Sequence, residues 1–130
     1  MTFLLDTDTV SFAMRGEGRV AAQLGRHSVR DVAISVISYA ELLFGLDLRQ
    51  AARQRAELDV LMTRLEVLPF EREAGQIYAH LSAQMHRKGT PIGIHDTMIA
   101  AHAIATKRTL VTHNGKHFSR IHGLKIADWY

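Results

Sequence analysis

Short apolar runs alternate with longer amphipathic segments along this chain. Runs of the β-strand type lie at residues 2–5, 31–35, 66–69, 109–112 and 124–127. The intervals between most of them have helical spacing of apolar positions, and we predict helices at residues 8–14, 19–26, 38–46, 50–65, 71–88 and 96–106. The clearest is 71–88, which Gly89 and Pro91 end.

This alternation is typical of a three-layer α/β domain. We expect a central, mostly parallel sheet with helices on both faces, because crossovers between parallel strands run over both sides. The chain has 130 residues and no internal repeat, which fits a single domain spanning residues 1–130.

Composition narrows the range of functions only slightly. Lys and Arg number 16 against 13 Asp and Glu, a net charge of +3, which permits a nucleic-acid partner without requiring one. Because cysteine is absent, disulfides and thiolate zinc sites are excluded. Asp6 comes too early for a signal peptide, and no apolar run is long enough to span a membrane. We therefore expect a cytoplasmic protein.

Three acids lie where predicted elements meet. Asp6 follows the first apolar run, Glu41 lies in the first turn of the predicted helix 38–46, and Asp96 opens the predicted helix 96–106. Ligands of open α/β sheets bind at the carboxyl ends of the strands. Carboxylates brought together repel unless a cation neutralises them, and oxygen ligands suit Mg²⁺ or Mn²⁺. The chemistry indicated is metal-assisted hydrolysis of a phosphodiester.

Each acid also has a purely structural interpretation as a helix cap. Asp6 or Thr7 could cap the helix that follows, and Asp96 is a good N-cap residue. Ser38 and Glu41 have the spacing of a capping box. The local sequence leaves both interpretations open.

Three blocks of the chain resemble a known family. They read "LLDTDTVS", "ISVISYAELLFG" and "PIGIHDTMIAAHAIATKRTLVTHNGKHFSRIHGLKIADW". In order and approximate spacing they resemble the PIN-domain ribonucleases, and most closely the VapC-type toxins of bacterial toxin–antitoxin pairs. The resemblance extends over nearly the whole chain.

The resemblance implies a PIN-like fold with a five-stranded parallel sheet. It implies that Asp6, Glu41 and Asp96 are an acidic triad holding one or two Mg²⁺ or Mn²⁺ ions, and that Thr112 and Asn114 are supporting polar positions. The implied activity is endonucleolytic cleavage of RNA, with tRNA as a candidate target. The implied partner is a small VapB-type antitoxin that blocks the acidic pocket, in a toxin–antitoxin hetero-oligomer built on a toxin homodimer.

Two positions depart from the family pattern. His117 stands where a fourth acid is common, and Asp8 stands where asparagine is common. Loss of a carboxylate at position 117 should weaken any second metal ion. We predict that Asp8 caps the helix at 8–14, and whether it compensates for the missing acid is left open.

Several alternatives accompany this interpretation. His113 and His117 could support metal-free general acid–base cleavage of RNA, whereas we expect His95 to support the site rather than bind metal. A receiver-type signalling domain would fit the size, and a non-catalytic binding module would fit the histidine at position 117.

Candidate RNA contacts are Arg15, Arg19, Arg87, Lys88, Lys116 and Arg120. The segment "ELLFGLDL" has more apolar residues than a short helix needs, and we expect the excess to contact an antitoxin or a second copy.

Overall fold

The computed structural model describes all residues from 1 to 130 and contains one five-stranded sheet. Its strands are β1 (Phe3–Leu5), β2 (Val32–Ser35), β3 (Glu66–Leu68), β4 (Thr109–Val111) and β5 (Ile126–Ala127). Every neighbouring pair is parallel, and the order across the sheet is β3-β2-β1-β4-β5. The predicted three-layer α/β fold and its five-stranded parallel sheet are confirmed.

Seven helices connect the strands. They are α1 (Thr7–Arg15), α2 (Val20–Arg26), α3 (Val36–Leu48), α4 (Ala52–Leu61), α5 (Arg72–Arg87), α6 (Ile94–Ala105) and the short α7 (Gly115–Phe118), with 3₁₀ turns at Val29–Asp31 and Met62–Arg64. None of these helices has the length and apolar character that crossing a bilayer requires.

Helices bury both faces of the central strands, and successive strand residues point to opposite faces. Phe3 and Leu5 of β1 join a core beneath α1 to α4, whereas Leu4 joins a second core beneath α5 and α6. The same division separates Ile34 from Ala33 in β2. Short, continuously apolar strands are therefore the expected pattern for this sheet.

The strand order reverses beside β1, which lies between β2 and β4. The backbone N–H of Asp6 donates to the carbonyl oxygen of Val111 at 3.0 Å, and the hydroxyl of Thr9 donates to the same oxygen at 3.1 Å. These bonds join the carboxyl ends of β1 and β4 at the point where α/β folds bind ligands. A receiver domain has the flavodoxin-like order 2-1-3-4-5, so the observed order excludes that alternative.

Helices α3 and α6 begin earlier than predicted. Helix α3 begins at Val36 because the hydroxyl of Ser35 caps it, accepting a bond from the N–H of Ile37 at 3.1 Å. Helix α6 begins at Ile94 after Gly93, whose φ of 98° favours glycine. Each therefore starts two residues earlier than the apolar pattern predicts.

The predicted helix at 50–65 is also shorter than expected. Helix α4 ends at Leu61, and the chain tightens into a 3₁₀ turn before it enters β3. The hydroxyl of Thr63 stabilises this turn by donating a hydrogen bond to the carbonyl oxygen of Val60 at 2.7 Å. The turn satisfies a carbonyl that the helix end would leave free.

Candidate acidic site at the carboxyl edge of the sheet

Asp6 lies at the carboxyl end of β1 and is only 6% exposed. Its Oδ1 accepts a hydrogen bond from the backbone N–H of Thr9 at 2.8 Å, so the predicted cap of α1 is confirmed for this residue. Burial raises the pKa of Asp6, hydrogen bonds from Thr112 and Thr9 partly oppose the rise, and the charge of Asp8 adds to it. The carboxylate is therefore held in an environment that disfavours its charge unless a cation is present.

Asp96 is the third residue of α6, and it caps nothing. Gly93 occupies the N-cap position, so the prediction that Asp96 is a helix cap is wrong. Burial raises the pKa of Asp96, the positive charge of His117 opposes that rise, and the charges of Glu41 and Asp8 add to it. A half-buried acid with no capping role is left free for another function.

Glu41 lies in the second turn of α3 rather than the first, and the predicted capping box is also wrong. Ser38 lies inside the helix, and its buried hydroxyl has no hydrogen-bond partner. Both carboxylate oxygens of Glu41 are instead engaged. Oε1 accepts from the hydroxyl of Thr7 at 2.8 Å, and Oε2 lies 2.9 Å from Nδ1 of His95. These contacts orient Glu41 towards the carboxyl edge.

His117, in α7, reaches Asp96. Its Nε2 lies 2.9 Å from the carbonyl oxygen of Ile92 and 3.1 Å from Oδ2 of Asp96. Because a carbonyl oxygen can only accept, this nitrogen carries a hydrogen and donates it to Ile92. The same N–H group lies close to the carboxylate of Asp96. The imidazole thus gives the site a donor where the family pattern often has a carboxylate.

Asp8 is the second residue of α1, and the prediction that it caps this helix is wrong because Asp6 occupies that position. Its charge raises the pKa values of both Asp6 and Asp96. Asp8 is therefore the acid that couples electrostatically to the carboxyl end of β1 and to the first turn of α6.

The polar residues that follow β4 complete the edge. Thr112 is buried, and its hydroxyl accepts from the backbone N–H of Asn114 at 3.0 Å. Asn114 precedes α7, and its side chain makes no capping bond. His113 bonds to Asp128 at 2.9 Å, whereas His117 contacts Asp96. The two histidines contact different acids and not each other. They therefore do not form the paired general acid and base that the metal-free mechanism needs.

The acids lack a cationic side chain of their own. None of Asp6, Asp8, Glu41 and Asp96 forms an ion pair with lysine or arginine, and the only basic side chains within ion-pair distance of them are His95 and His117. No three His, Asp or Glu side chains are close enough to hold a metal ion by themselves. Mg²⁺ commonly binds one or two carboxylates and keeps several waters, so the donor set fits such an ion without a closed protein cage.

A groove adjoins the acidic site. It has a volume of about 320 Å³ and runs between α1, α3 and α4 from Thr7 and Glu41. Arg15, Arg49 and Glu57 are among its charged lining residues. The groove therefore combines charged and apolar lining residues and opens beside the carboxylate of Glu41.

The contacts of His95 and His117 could not be identified from the sequence. Each histidine meets an acid from a distant segment, Glu41 for His95 and Asp96 for His117. The only available signal was the position of His95 beside Asp96 and the departure from the family pattern at position 117.

Comparison with known proteins identifies the family. The PIN domain model matches residues 3–124. A tRNA(fMet)-specific endonuclease VapC from Salmonella typhimurium is 34% identical over 99% of this chain and 98% of its own length. Ribonuclease VapC2 from Rickettsia felis is 39% identical over 75% of this chain and 74% of its own. The chain belongs to the PIN-domain family, and the resemblance to VapC-type proteins is confirmed.

Solved structures agree with this placement. DNA-bound VapBC from Salmonella typhimurium has a TM-score of 0.93 at 33% identity, covering 100% of this chain and 99% of that chain. VapBC2 from Rickettsia felis, bound to a DNA fragment from its promoter, has a TM-score of 0.92 at 32% identity and covers 100% of both chains. The fold is thus that of a VapC protein along its whole length.

Proposed function

We propose that this protein is an endoribonuclease toxin of the VapC type, in which residues 1–130 act as one PIN domain. The observation that carries the proposal is the group of acids without a lysine or arginine counter-ion at the switch point of the sheet. Its relatives are named as VapC endonucleases and ribonucleases. The reaction is hydrolysis of RNA phosphodiester bonds, and tRNA is the first substrate to test because one relative is named for it.

Asp6, Glu41 and Asp96 are the catalytic acids in this proposal, and they would hold a Mg²⁺ or Mn²⁺ ion. Such an ion supplies positive charge against the phosphate oxygens and lowers the pKa of water near the scissile bond. Asp6 is held rigidly by its capping bond to Thr9. His95 orients Glu41, and Nε2 of His117 lies 3.1 Å from Oδ2 of Asp96. Thr112, Asn114 and Asp8 support these acids from the ends of β4 and α1.

We also propose regulation by a VapB-type antitoxin. The two solved structures compared above are of VapBC2 from Rickettsia felis and VapBC from Salmonella typhimurium. The groove beside Glu41 is the place where an antitoxin segment would reach the acids. Phe44 and Leu48 of α3 are 68% and 72% exposed, so the apolar excess of "ELLFGLDL" remains available for a partner. We assign that surface to the antitoxin or to a toxin homodimer within the hetero-oligomer.

The test is cleavage of purified tRNA and total RNA with Mg²⁺ or Mn²⁺, followed by mapping of the cut ends. We expect cleavage that EDTA abolishes and that falls as salt weakens phosphate binding. Asp96→Asn should lose cleavage while keeping the melting temperature, because Asp96 caps no helix. Asp31→Asn is the matched control, since Asp31 precedes β2 at the opposite edge of the sheet. Cleavage that persists in EDTA or in Asp96→Asn would contradict the proposal.

A non-catalytic binding module is the second candidate, and His117 is the observation that favours it. Its imidazole Nε2 lies 3.1 Å from Oδ2 of Asp96, where the family pattern often has a further carboxylate for metal. Calorimetric titration with Mn²⁺ measures metal binding and distinguishes the two candidate functions. Binding that Asp6→Asn removes supports the enzyme, whereas no binding at millimolar Mn²⁺ supports the module.

A further inference from the structure

A pair of stacked aromatic rings lies at the carboxyl edge of the sheet, outside the acidic site. The rings of His113 and Tyr130 have centroids 4.2 Å apart and planes 20° apart, and we call this pair the aromatic stack. Phe12 of α1 meets both rings nearly at right angles, with centroid distances of 5.9 Å to His113 and 4.9 Å to Tyr130. Three segments that are distant in sequence therefore build one aromatic cluster.

The aromatic stack is held in place by polar contacts. The carboxylate of Asp128 contacts both residues of the stack. Its Oδ2 is 2.9 Å from Nδ1 of His113, and its Oδ1 accepts a hydrogen bond from the backbone N–H of Tyr130 at 2.9 Å. The backbone of Tyr130 packs on Gly18 so closely that a Cβ there would lie 2.6 Å from the tyrosine Cα. Tyr130 nevertheless remains 44% exposed. The stack is therefore ordered before any ligand arrives and still presents aromatic surface to solvent.

The position of the aromatic stack connects it to the acids. His113 directly follows Thr112, whose hydrogen bond lowers the pKa of Asp6. Arg15 lies over the Phe12 ring, 5.4 Å from its centroid. A bond to Glu17 raises the pKa of Arg15 most, and the charge of Asp8 also contributes. Arg15 thus packs on the aromatic cluster and interacts electrostatically with an acid of the site.

We propose that the aromatic stack is a subsite for an unpaired nucleobase of the RNA substrate, next to the scissile phosphate. The inference rests on the proposed ribonuclease function. Single-stranded RNA is commonly held by stacking of bases on exposed aromatic side chains. Glu17 pairs with Arg15 and neutralises part of the positive charge nearby. Recognition here therefore depends on the π-face of the base and much less on its phosphate.

The test measures RNA binding in the Asp96→Asn background, which removes cleavage from the measurement. The probes are a fluorescent oligoadenylate of eight nucleotides and a base-free ribose–phosphate chain of the same length, both followed by anisotropy. Tyr130→Ala and Tyr130→Leu remove the π-face, Tyr130→Leu keeps apolar bulk, and Tyr130→Phe keeps the ring. Val60→Ala is the control, because Val60 is 70% exposed on α4 and lies outside the aromatic stack.

We expect Tyr130→Ala and Tyr130→Leu to weaken oligoadenylate binding by about 5-fold to 150-fold, the range for loss of one stacked base. Tyr130→Phe and Val60→Ala should bind as the parent does, and binding of the base-free chain should not change. Unaltered oligoadenylate binding by the two stack-disrupting variants, or equal weakening for both probes, would overturn the inference. The proposed function is judged separately, by whether the unsubstituted protein cleaves RNA.

Discussion

Asp6 combines two roles that substitution can separate. Its side chain caps α1 through the bond to Thr9, and its charge is buried at the carboxyl end of β1. Asparagine keeps a capping oxygen and removes the charge, whereas alanine removes both. Comparing Asp6→Asn with Asp6→Ala therefore measures the cap, and comparing Asp6→Asn with the parent measures the buried charge.

The expected size of each difference follows from the structure. Loss of an N-cap costs about 1 kcal/mol of the free energy of unfolding. A protein of 130 residues has an unfolding entropy of about 0.27 kcal/mol/K, so 1 kcal/mol corresponds to about 4 °C in melting temperature. Asp6→Ala should therefore melt about 4 °C below Asp6→Asn. Because burial raises the pKa of Asp6, its ionisation opposes folding near neutral pH. Asp6→Asn should then melt at or above the parent in EDTA.

The assay is thermal unfolding in EDTA at pH 7, repeated with Mn²⁺. Added Mn²⁺ should raise the melting temperature of the parent, since a ligand that binds only the folded state stabilises it. It should leave both Asp6 variants unchanged, and neither should cleave RNA. If Asp6→Asn melted several degrees below the parent in EDTA, the buried charge would be stabilising, and the reasoning would be refuted.

Three further predictions concern other residues. His95→Ala frees Glu41 and should lower the initial cleavage rate about 10- to 100-fold without changing the melting temperature, and an unaltered rate would show that this contact is incidental. Burial lowers the pKa of His102 below its usual 6.5, so the unfolded chain takes up the proton first. Stability should therefore fall as pH drops below about 6.5, and melting curves of His102→Gln should lack that fall. Gly18→Ala should lose about 1–3 kcal/mol because φ is 65° there, whereas Gly25→Ala, in open space, should not destabilise the protein.

The alternation of strands and helices could be predicted because it depends on nearby residues. Apolar runs such as Phe3–Leu5 are short and continuous, since both sides of each strand face a helix layer. The end of α5 was equally readable from Gly89, whose φ is 73°, and from Pro91. The cap that Asp6 provides was predicted for the same reason, because its partner is three residues away.

Other helix starts could not be predicted, because several residues competed for each cap. Ser35 ends the apolar run at 31–35, yet its hydroxyl also caps α3, so that Ser38 lies inside the helix instead of capping it. Gly93 precedes α6 with a positive φ, a backbone conformation that the spacing of apolar residues cannot indicate. Because Ser35 and Gly93 occupy the N-cap positions of α3 and α6, Glu41 and Asp96 do not cap these helices.

By itself, the sequence determined the α/β architecture, the placement of Asp6 at a strand end and the kinship with VapC proteins, because propensity, periodicity and motif are properties of short segments. Only the tertiary structure decided that β1 lies between β2 and β4, and thereby that the ends of β1 and β4 meet. It alone joined His117 to Asp96 and His113 to Tyr130. Such contacts depend on how separate segments pack, and no local pattern encodes the distance between them.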